Sequence, residues 1–566
     1  MNASVSVALA GSGGAGVMTA GNMLLEAAAL AGYYGLMTRT SGPQIRGGEA
    51  AAMLRISTFS TDGQDDRFQV LAAIDWQNVN RFAAELPLGP ASLIVGDPAQ
   101  GEPPEVFTRS GARFLPVPLK ALAATIPGAW PNMVALGVLA GLLGLPFESL
   151  EAAAAKSMKK GLAAGIAAAR RGMSHAASLP KELFLEAAPE KSSRWLITGN
   201  EAAGYGALRG GVRFVAAYPI TPATELLEWL SPALTKIGGT LVQAEDELAS
   251  INMAIGASYG GVPSLTATSG PGLSLMIESL GLGVVAEVPV VVVDVMRTGP
   301  STGIATKSEQ ADLNIALYGL HGDAPHIVIA PNSVADCLAA TEWAVGLAES
   351  LQVPAIVLSD QYFGQARAVV DRPALSEEVF QRDKTTSPEN YRRYALTPSG
   401  VSPMAIPGTP GCTYTADGLE HNEKGTPSSQ AADHLAQMDK RARKISQLDP
   451  GDRWASIEGQ GEVALLTFGS CTGPAREAFA RARAEGFEGR LVSLRLLAPA
   501  QPERLKQALE GVKQALVLEQ NPSGQFLRYL RSEYDLPCKL TSLRRPGPLP
   551  FRPDEIRQAL MALEAA

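Results

Sequence analysis

Between residues 194 and 370, the apolar runs VRFVAAY, TLVQAE, SLTATS, VPVVVVDVM, HIVIAP and VPAIVLSD alternate with stretches of helical period. This pattern leaves few folds open. Runs so short and so continuously apolar are buried on both faces, and a chain that returns through a helix after each one builds a parallel sheet with crossover helices. Similar alternation occurs twice more. Residues 1–172 open with VSVALA, a GSGGAG turn and the helix-like VMTAGNMLLEAAALAGYYG, and the Ala-rich stretch from Met133 to Ala169 reads as closing helices. Residues 461–566 carry EVALLTFGS, PAREAFARARAEG, RLVSLRLLAP and ALVLEQN. The run from Val284 to Val293 includes Glu287 and Pro289; it is too short to span a bilayer and reads as a buried strand.

A chain of 566 residues exceeds one core. The expected organisation is three α/β units: 1–172, then a polar linker at 173–193, a parallel-sheet unit at 194–370, an irregular insert at 371–460 rich in Pro, Gly, Thr and charge, and a last unit at 461–566. A net charge of −8 argues against a nucleic-acid partner, which needs a basic face. No membrane contact is expected. The start MNASVSVALAGSGGAG lacks the positive region of a signal peptide, so a cytoplasmic location is expected. Cys337, Cys412, Cys471 and Cys538 are scattered without CxxC spacing, and neither a metal cluster nor a disulfide framework is expected in this chain.

GSGGAG satisfies the dinucleotide fingerprint, but no acidic residue stands about 20 positions further on to hold a ribose; the alternative is a tight strand-to-helix turn. SGPQIRGGEA places Arg46 beside glycines, either as an anion loop or as a loop anchor. In YPITP, Thr221 is placed to cap a helix with Pro222 at its first position, and the same helix end would attract a carboxylate. Glu245, Asp246 and Glu247 begin the next helix, where acids also simply complement the dipole. Ser269-Gly270-Pro271-Gly272 and then Arg297 follow at the next two strand ends. Polar, glycine-rich or charged groups thus recur at the edge where open α/β sheets bind ligands.

YPITP, EDELASINMAIGAS, TSGPG and RTGPSTG, in this order, resemble the pyrimidine-binding domain of the thiamine-diphosphate-dependent 2-oxoacid:ferredoxin oxidoreductases, where YPITP is an alpha-subunit motif. GSGGAG and SGPQIRGGEA resemble the gamma domain of that family, fused here ahead of alpha. CTYTADGLEHNEKG and the unit ending VLEQN, similar to a transketolase C-terminal domain, extend the likeness. The resemblance implies a fused gamma-alpha subunit of the 2-oxoglutarate type. Its partner would be a beta subunit carrying the Mg2+-diphosphate site and a 4Fe–4S cluster, since this chain has no GDG with paired asparagines; the assembly would be a dimer of such pairs.

Coenzyme A would be co-substrate, with the last unit facing it, and ferredoxin the electron acceptor. Thiamine diphosphate, shared with the partner, needs an acid hydrogen-bonded to N1′ of its aminopyrimidine. The resemblance assigns that role to Glu247 rather than Glu245, with Pro219 against the cofactor, Thr221 and Arg297 on the substrate carboxylate, and Thr306 at the substrate's other end. A planar two-point donor suits the carboxylate. For Arg297 the alternative is a strand-end salt bridge, and for Thr306 an ordinary turn. Three further readings stand beside this one: pyruvate or a branched 2-oxoacid as substrate, a non-catalytic coenzyme A-binding or assembly subunit, and an NAD-dependent oxidoreductase using GSGGAG.

Overall fold

The GSGGAG turn joins the strand Ser4–Ser12 to the helix Val17–Leu30. In the computed structural model, which describes residues 1–41, 48–189, 193–304, 306–374 and 380–564, the turn is closed by a carboxylate. Asp75 accepts from the Ser12 amide at 3.0 Å and from Ser12 Oγ at 2.8 Å. A negative charge at that point opposes a pyrophosphate, which favours the tight-turn reading. Arg46 and its glycine neighbours lie outside the described residues.

The chain is a mixed α/β protein with three sheets among the described residues, and it divides into two compact units. One unit consists of residues 1–198, 365–374 and 551–554. Its eight-stranded sheet runs Arg113–Pro116, Leu93–Gly96, Val70–Ala73, Ser4–Ser12, Glu49–Ser57, Tyr34–Ser41, Arg367–Asp371, Arg194–Thr198. The first four of these strands are parallel and the rest antiparallel. Helices Pro131–Leu143, Phe147–Ser157 and Leu162–Ala176 close one face. The stretch expected as a linker is tied down here: Leu183 and Leu185 are buried, and the Leu185 amide donates to the Leu143 carbonyl at 3.1 Å.

The other unit holds residues 199–364, 375–550 and 555–566 and two sheets. In the seven-stranded sheet the order is Leu496–Ala498, Ile327–Ile329, Pro354–Asp360, Val290–Met296, Ser264–Thr268, Phe214–Ala217, Thr240–Gln243. All are parallel except Leu496–Ala498. The central strands Val290–Met296 and Pro354–Asp360 are buried at every residue, as two-sided coverage by helices requires. The five-stranded sheet runs Ala455–Gly459, Gly489–Leu494, Val463–Phe468, Gln514–Glu519, Lys539–Arg544.

Three local expectations change. The run RLVSLRLLAP divides at Arg495, whose guanidinium pairs with Asp336 at 2.8 Å, and the two halves enter different sheets. The run from Val284 to Val293 is a helix end, a turn and then a strand, because Glu287 turns inward there with φ 53° to meet two lysines. The insert expected to be irregular contains a 16-residue helix, Ala431–Ser446. That helix buries its polar face, Gln437, Lys440, Arg441 and Lys444, and leaves Leu435 exposed. Lys440 Nζ and Lys444 Nζ reach the Glu287 carboxylate at 2.7 and 3.1 Å, and Arg441 forks onto Glu420 at 2.6 and 3.1 Å. Among the described residues no helix is long and apolar enough to cross a membrane.

Candidate active site

Four adjacent strand ends of the seven-stranded sheet build the candidate site. At the first, Phe214–Ala217 gives way to YPITP. The Ile220 carbonyl accepts from the Ala223 amide at 2.8 Å and the Thr224 amide at 3.1 Å, with a cis Thr221-Pro222 bond at the centre of the turn. The helix therefore starts at Thr224 with Ala223 at its cap. This corrects the expectation that Thr221 is the cap and Pro222 the first helical residue: a proline turn occupies that place. Thr221 is exposed instead, Pro219 is partly buried, and the Pro222 carbonyl is held by buried Asn200 Nδ2 at 2.8 Å.

After Thr240–Gln243 come the three acids, and the structure separates them. Glu245 and Asp246 are exposed; Asp246, in extended backbone, caps the helix Glu247–Tyr259 by accepting from the Ala249 amide at 2.7 Å. Glu247 points inward and is 8% exposed. No described group hydrogen-bonds its carboxyl. It lies across the start of the helix Gly270–Val285: a β-carbon on Gly272 would sit 2.7 Å from Glu247 Cγ, 2.9 Å from its Oε1 and 2.0 Å from Thr268 Oγ1. The SGPG corner is thus glycine where a carboxyl side chain crosses it.

Arg297 ends the strand Val290–Met296, and its Nη1 donates to the Thr221 carbonyl at 2.7 Å. The structure brings these two together across two strand ends. Burial weakens the guanidinium's hold on its proton, and Asp312 opposes that. From Arg297 the chain loops out and returns, with the Thr298 amide and hydroxyl both donating to the Lys307 carbonyl at 2.8 and 3.0 Å. Thr306 sits at the far end of this loop with φ 46°, and among the described residues no hydrogen bond joins it to Thr221, Arg297 or Glu247.

Sequence reasoning passed over Asp294, Asp312 and Asn200. Asp294 stood in plain view as the single charged residue of VPVVVVDVM, and an acid inside a fully buried strand is the signal that marks it. Asp312 lies against Gly270, with Oδ1 2.5 Å from where a β-carbon would be. Chemically, the corners offer an inward carboxyl without a partner among the described residues, a guanidinium at a proline turn, and a helix start with glycine at its first and third positions.

Known proteins resemble the chain along nearly its whole length. Residues 205–440 match the thiamine-diphosphate-binding family of pyruvate flavodoxin/ferredoxin oxidoreductase, and residues 6–175 match pyruvate ferredoxin/flavodoxin oxidoreductase. Subunit alpha of 2-oxoacid:ferredoxin oxidoreductase 2 from Aeropyrum pernix is 30% identical, with 93% of each chain covered. The 2-oxoglutarate synthase subunit KorA of Methanothermobacter marburgensis is 33% identical over its whole length and 66% of this chain. The solved 2-oxoglutarate:ferredoxin oxidoreductase from Magnetococcus marinus, with 2-oxoglutarate, coenzyme A and succinyl-CoA bound, superposes with a TM-score of 0.92 at 35% identity, covering 99% of this chain and 100% of that one. An inward acid over a glycine corner, an arginine at a proline turn and these likenesses along nearly the whole length lead to one statement: the chain belongs to the thiamine-diphosphate-dependent 2-oxoacid:ferredoxin oxidoreductases, as an alpha subunit with the family's additional N-terminal domain.

Proposed function

We propose that this chain is the fused gamma-alpha subunit of a 2-oxoglutarate:ferredoxin oxidoreductase. With two oxidised ferredoxins, the enzyme converts 2-oxoglutarate and coenzyme A to succinyl-CoA, CO2, two reduced ferredoxins and a proton. The observation that carries the reading is Glu247, buried, without a hydrogen-bond partner among the described residues, and crossing the bare start of the Gly270 helix. That arrangement fits an aminopyrimidine ring: the carboxyl would hydrogen-bond N1′, and Gly272 keeps the approach open. When bound, thiamine diphosphate supplies the carbon nucleophile that attacks a 2-oxoacid.

Glu247 would hold the ring at N1′ through its carboxyl, the position from which a general acid acts. Pro219 lies against the cofactor. Arg297, with Thr221, receives the substrate's carboxylate, and the 2.7 Å bond from Arg297 to the Thr221 carbonyl holds the guanidinium against that corner. Thr306 is assigned to the substrate's other end. The helices Glu247–Tyr259 and Gly270–Val285 leave Leu248, Met253 and Leu275 between 43% and 48% exposed, which supports a partner subunit seated there. That beta subunit brings Mg2+, the diphosphate half of the site and the 4Fe–4S cluster, and the assembly is a dimer of such pairs.

The test is to express the chain with and without its co-purifying partner. Thiamine diphosphate content, visible absorbance and coenzyme A-dependent reduction of a viologen dye are measured with 2-oxoglutarate and with pyruvate. A colourless, inactive single chain that becomes active on 2-oxoglutarate with a cluster-bearing partner is the expected result. Turnover by the single chain overturns the proposal, and a preference for pyruvate overturns the substrate assignment.

A further inference from the structure

The strand that delivers Arg297 hides an acid three residues earlier. Asp294 is 0% exposed, and among the described residues neither of its carboxylate oxygens has a hydrogen-bond partner. It stands in register with Thr268 on one neighbouring strand and Leu358 on the other, so neither offers it a charge. The charge that acts on it is Asp312, just before the helix Leu313–Tyr318, whose Oδ1 lies over Gly270, two residues beyond Thr268; its Oδ2 is also buried without a partner among the described residues. Asp312 in turn feels the charges of Glu309 and Arg297.

Asp360, on the neighbouring strand, accepts from the Phe363 amide at 3.0 Å and is further held by Ser470 and Ser308; Glu309 accepts from the Gly547 amide at 3.3 Å. Arg297 is thus the cation that acts on Asp312, while burial and Asp312 act on Asp294. A buried carboxylate without a counter-charge neutralises by taking a proton, and two neighbouring carboxyls do not both ionise. Burial and Asp312 push Asp294 well above the usual carboxylate range; burial and Glu309, against Arg297, push Asp312 up to about 7.

We propose that Asp294 and Asp312 share a proton behind Arg297, and that arrival of a 2-oxoacid carboxylate at Arg297 draws a further fraction of a proton into the pair. The two acids are positioning residues. While Asp312 carries a proton, Arg297 has its full charge for the substrate; when Asp312 ionises, it competes for that charge. The sign follows: the substrate-bound state holds more protons, so affinity falls as pH rises through the titration of the pair, by up to about tenfold per pH unit. This rests on the reading of Arg297 as the carboxylate receptor.

The experiment titrates 2-oxoglutarate into the complete enzyme, depleted of thiamine diphosphate to prevent turnover, by calorimetry in phosphate and in Tris from pH 6 to 8.5. The heats are expected to differ between buffers by the amount that fractional proton uptake requires. In Asp312→Asn the heats become buffer-independent and the affinity flat with pH, and in Asp294→Asn the pH dependence moves to lower pH. Buffer-independent heats in the unmodified enzyme, or unchanged proton uptake in Asp312→Asn, overturn the proposal. An infrared difference spectrum between the unmodified chain and Asp294→Asn is expected to show the loss of one carboxylic-acid C=O component, a readout that needs no substrate; its absence also overturns the proposal. Arg297→Lys separates the two readings: if it leaves affinity unchanged, the carboxylate assignment fails, whereas weakened binding by Arg297→Lys without proton uptake in the unmodified enzyme sinks the shared proton alone.

Discussion

Glu287→Gln removes one negative charge from a place no water reaches. Glu287 is fully buried at a turn with φ 53°, where glycine is the default, and its carboxylate holds Lys440 at 2.7 Å and Lys444 at 3.1 Å. Arg393 Nη2 donates to the Glu287 carbonyl at 2.7 Å. Burial opposes ionisation, yet Lys444, Lys440 and Arg393 outweigh it and hold Glu287 at about 2, below its ordinary 4.5. The lysines fare differently: burial lowers both, Lys440 from 10.5 to about 8, because three cations share one carboxylate. Removing the anion is therefore worse than removing a cation.

The depression of Glu287 corresponds to about 3 kcal/mol at about 1.4 kcal/mol per unit. Since the folded-state value is the lower one, this contribution is complete above pH 4.5 and disappears as pH falls from 4.5 to about 2. Gln at 287 loses it and leaves two buried ammonium groups uncompensated, a cost of about 3–5 kcal/mol. Lys440→Met keeps the Lys444 pair and removes a surplus cation, costing less than about 2 kcal/mol. At about 2 °C per kcal/mol, scanning calorimetry of the full chain should show Tm lowered by about 6–10 °C in Glu287→Gln and by less than half of that in Lys440→Met. Limited proteolysis should cut the insert of Glu287→Gln first. An equal or larger drop in Lys440→Met refutes the charge count.

Other outcomes follow from the site. Glu247→Gln, which keeps shape but not acidity, should lower dye reduction by the complete enzyme by about 10²–10⁴-fold while the far-UV spectrum stays unchanged. Gly272→Ala places a methyl 2.0 Å from Thr268 Oγ1 and 2.7 Å from Glu247 Cγ; displacing that carboxyl should lower kcat by about 10²-fold, measured in the same assay with thiamine diphosphate saturating. Arg297→Lys loses the planar fork and should raise KM for the 2-oxoacid by about 10–100-fold, with a smaller change in kcat.

The α/β class and the candidate corners were legible because apolar runs and glycine turns act locally: each of the six runs from VRFVAAY to VPAIVLSD contains a strand of the central sheet. Singling out Glu247 came from the resemblance, and burial now separates it from Glu245 and Asp246. What was not legible depends on distant partners. The helix Ala431–Ser446 escaped because pattern reading assigns lysines to solvent, whereas Lys440 and Lys444 are buried on a carboxylate more than 150 positions away in sequence. The cap at Thr221 failed because the turn Ile220–Ala223 takes up the residues that a helix would have used. Asp312 was invisible for a related reason, since nothing in SEQADL announces that its carboxyl lies on Gly270.

The division of RLVSLRLLAP at Arg495 makes the last sheet a donor as well as a neighbour. Its chain lends Leu496–Ala498 to the edge strand Ile327–Ile329, which would otherwise present bare amides and carbonyls. A shortened protein ending before residue 461 would therefore carry an open, fully apolar edge at the far side of the sheet that holds Arg297, and self-association is the expected fate of such a fragment. A break between the two sheets thus exposes an adhesive surface before any residue of the candidate site is removed.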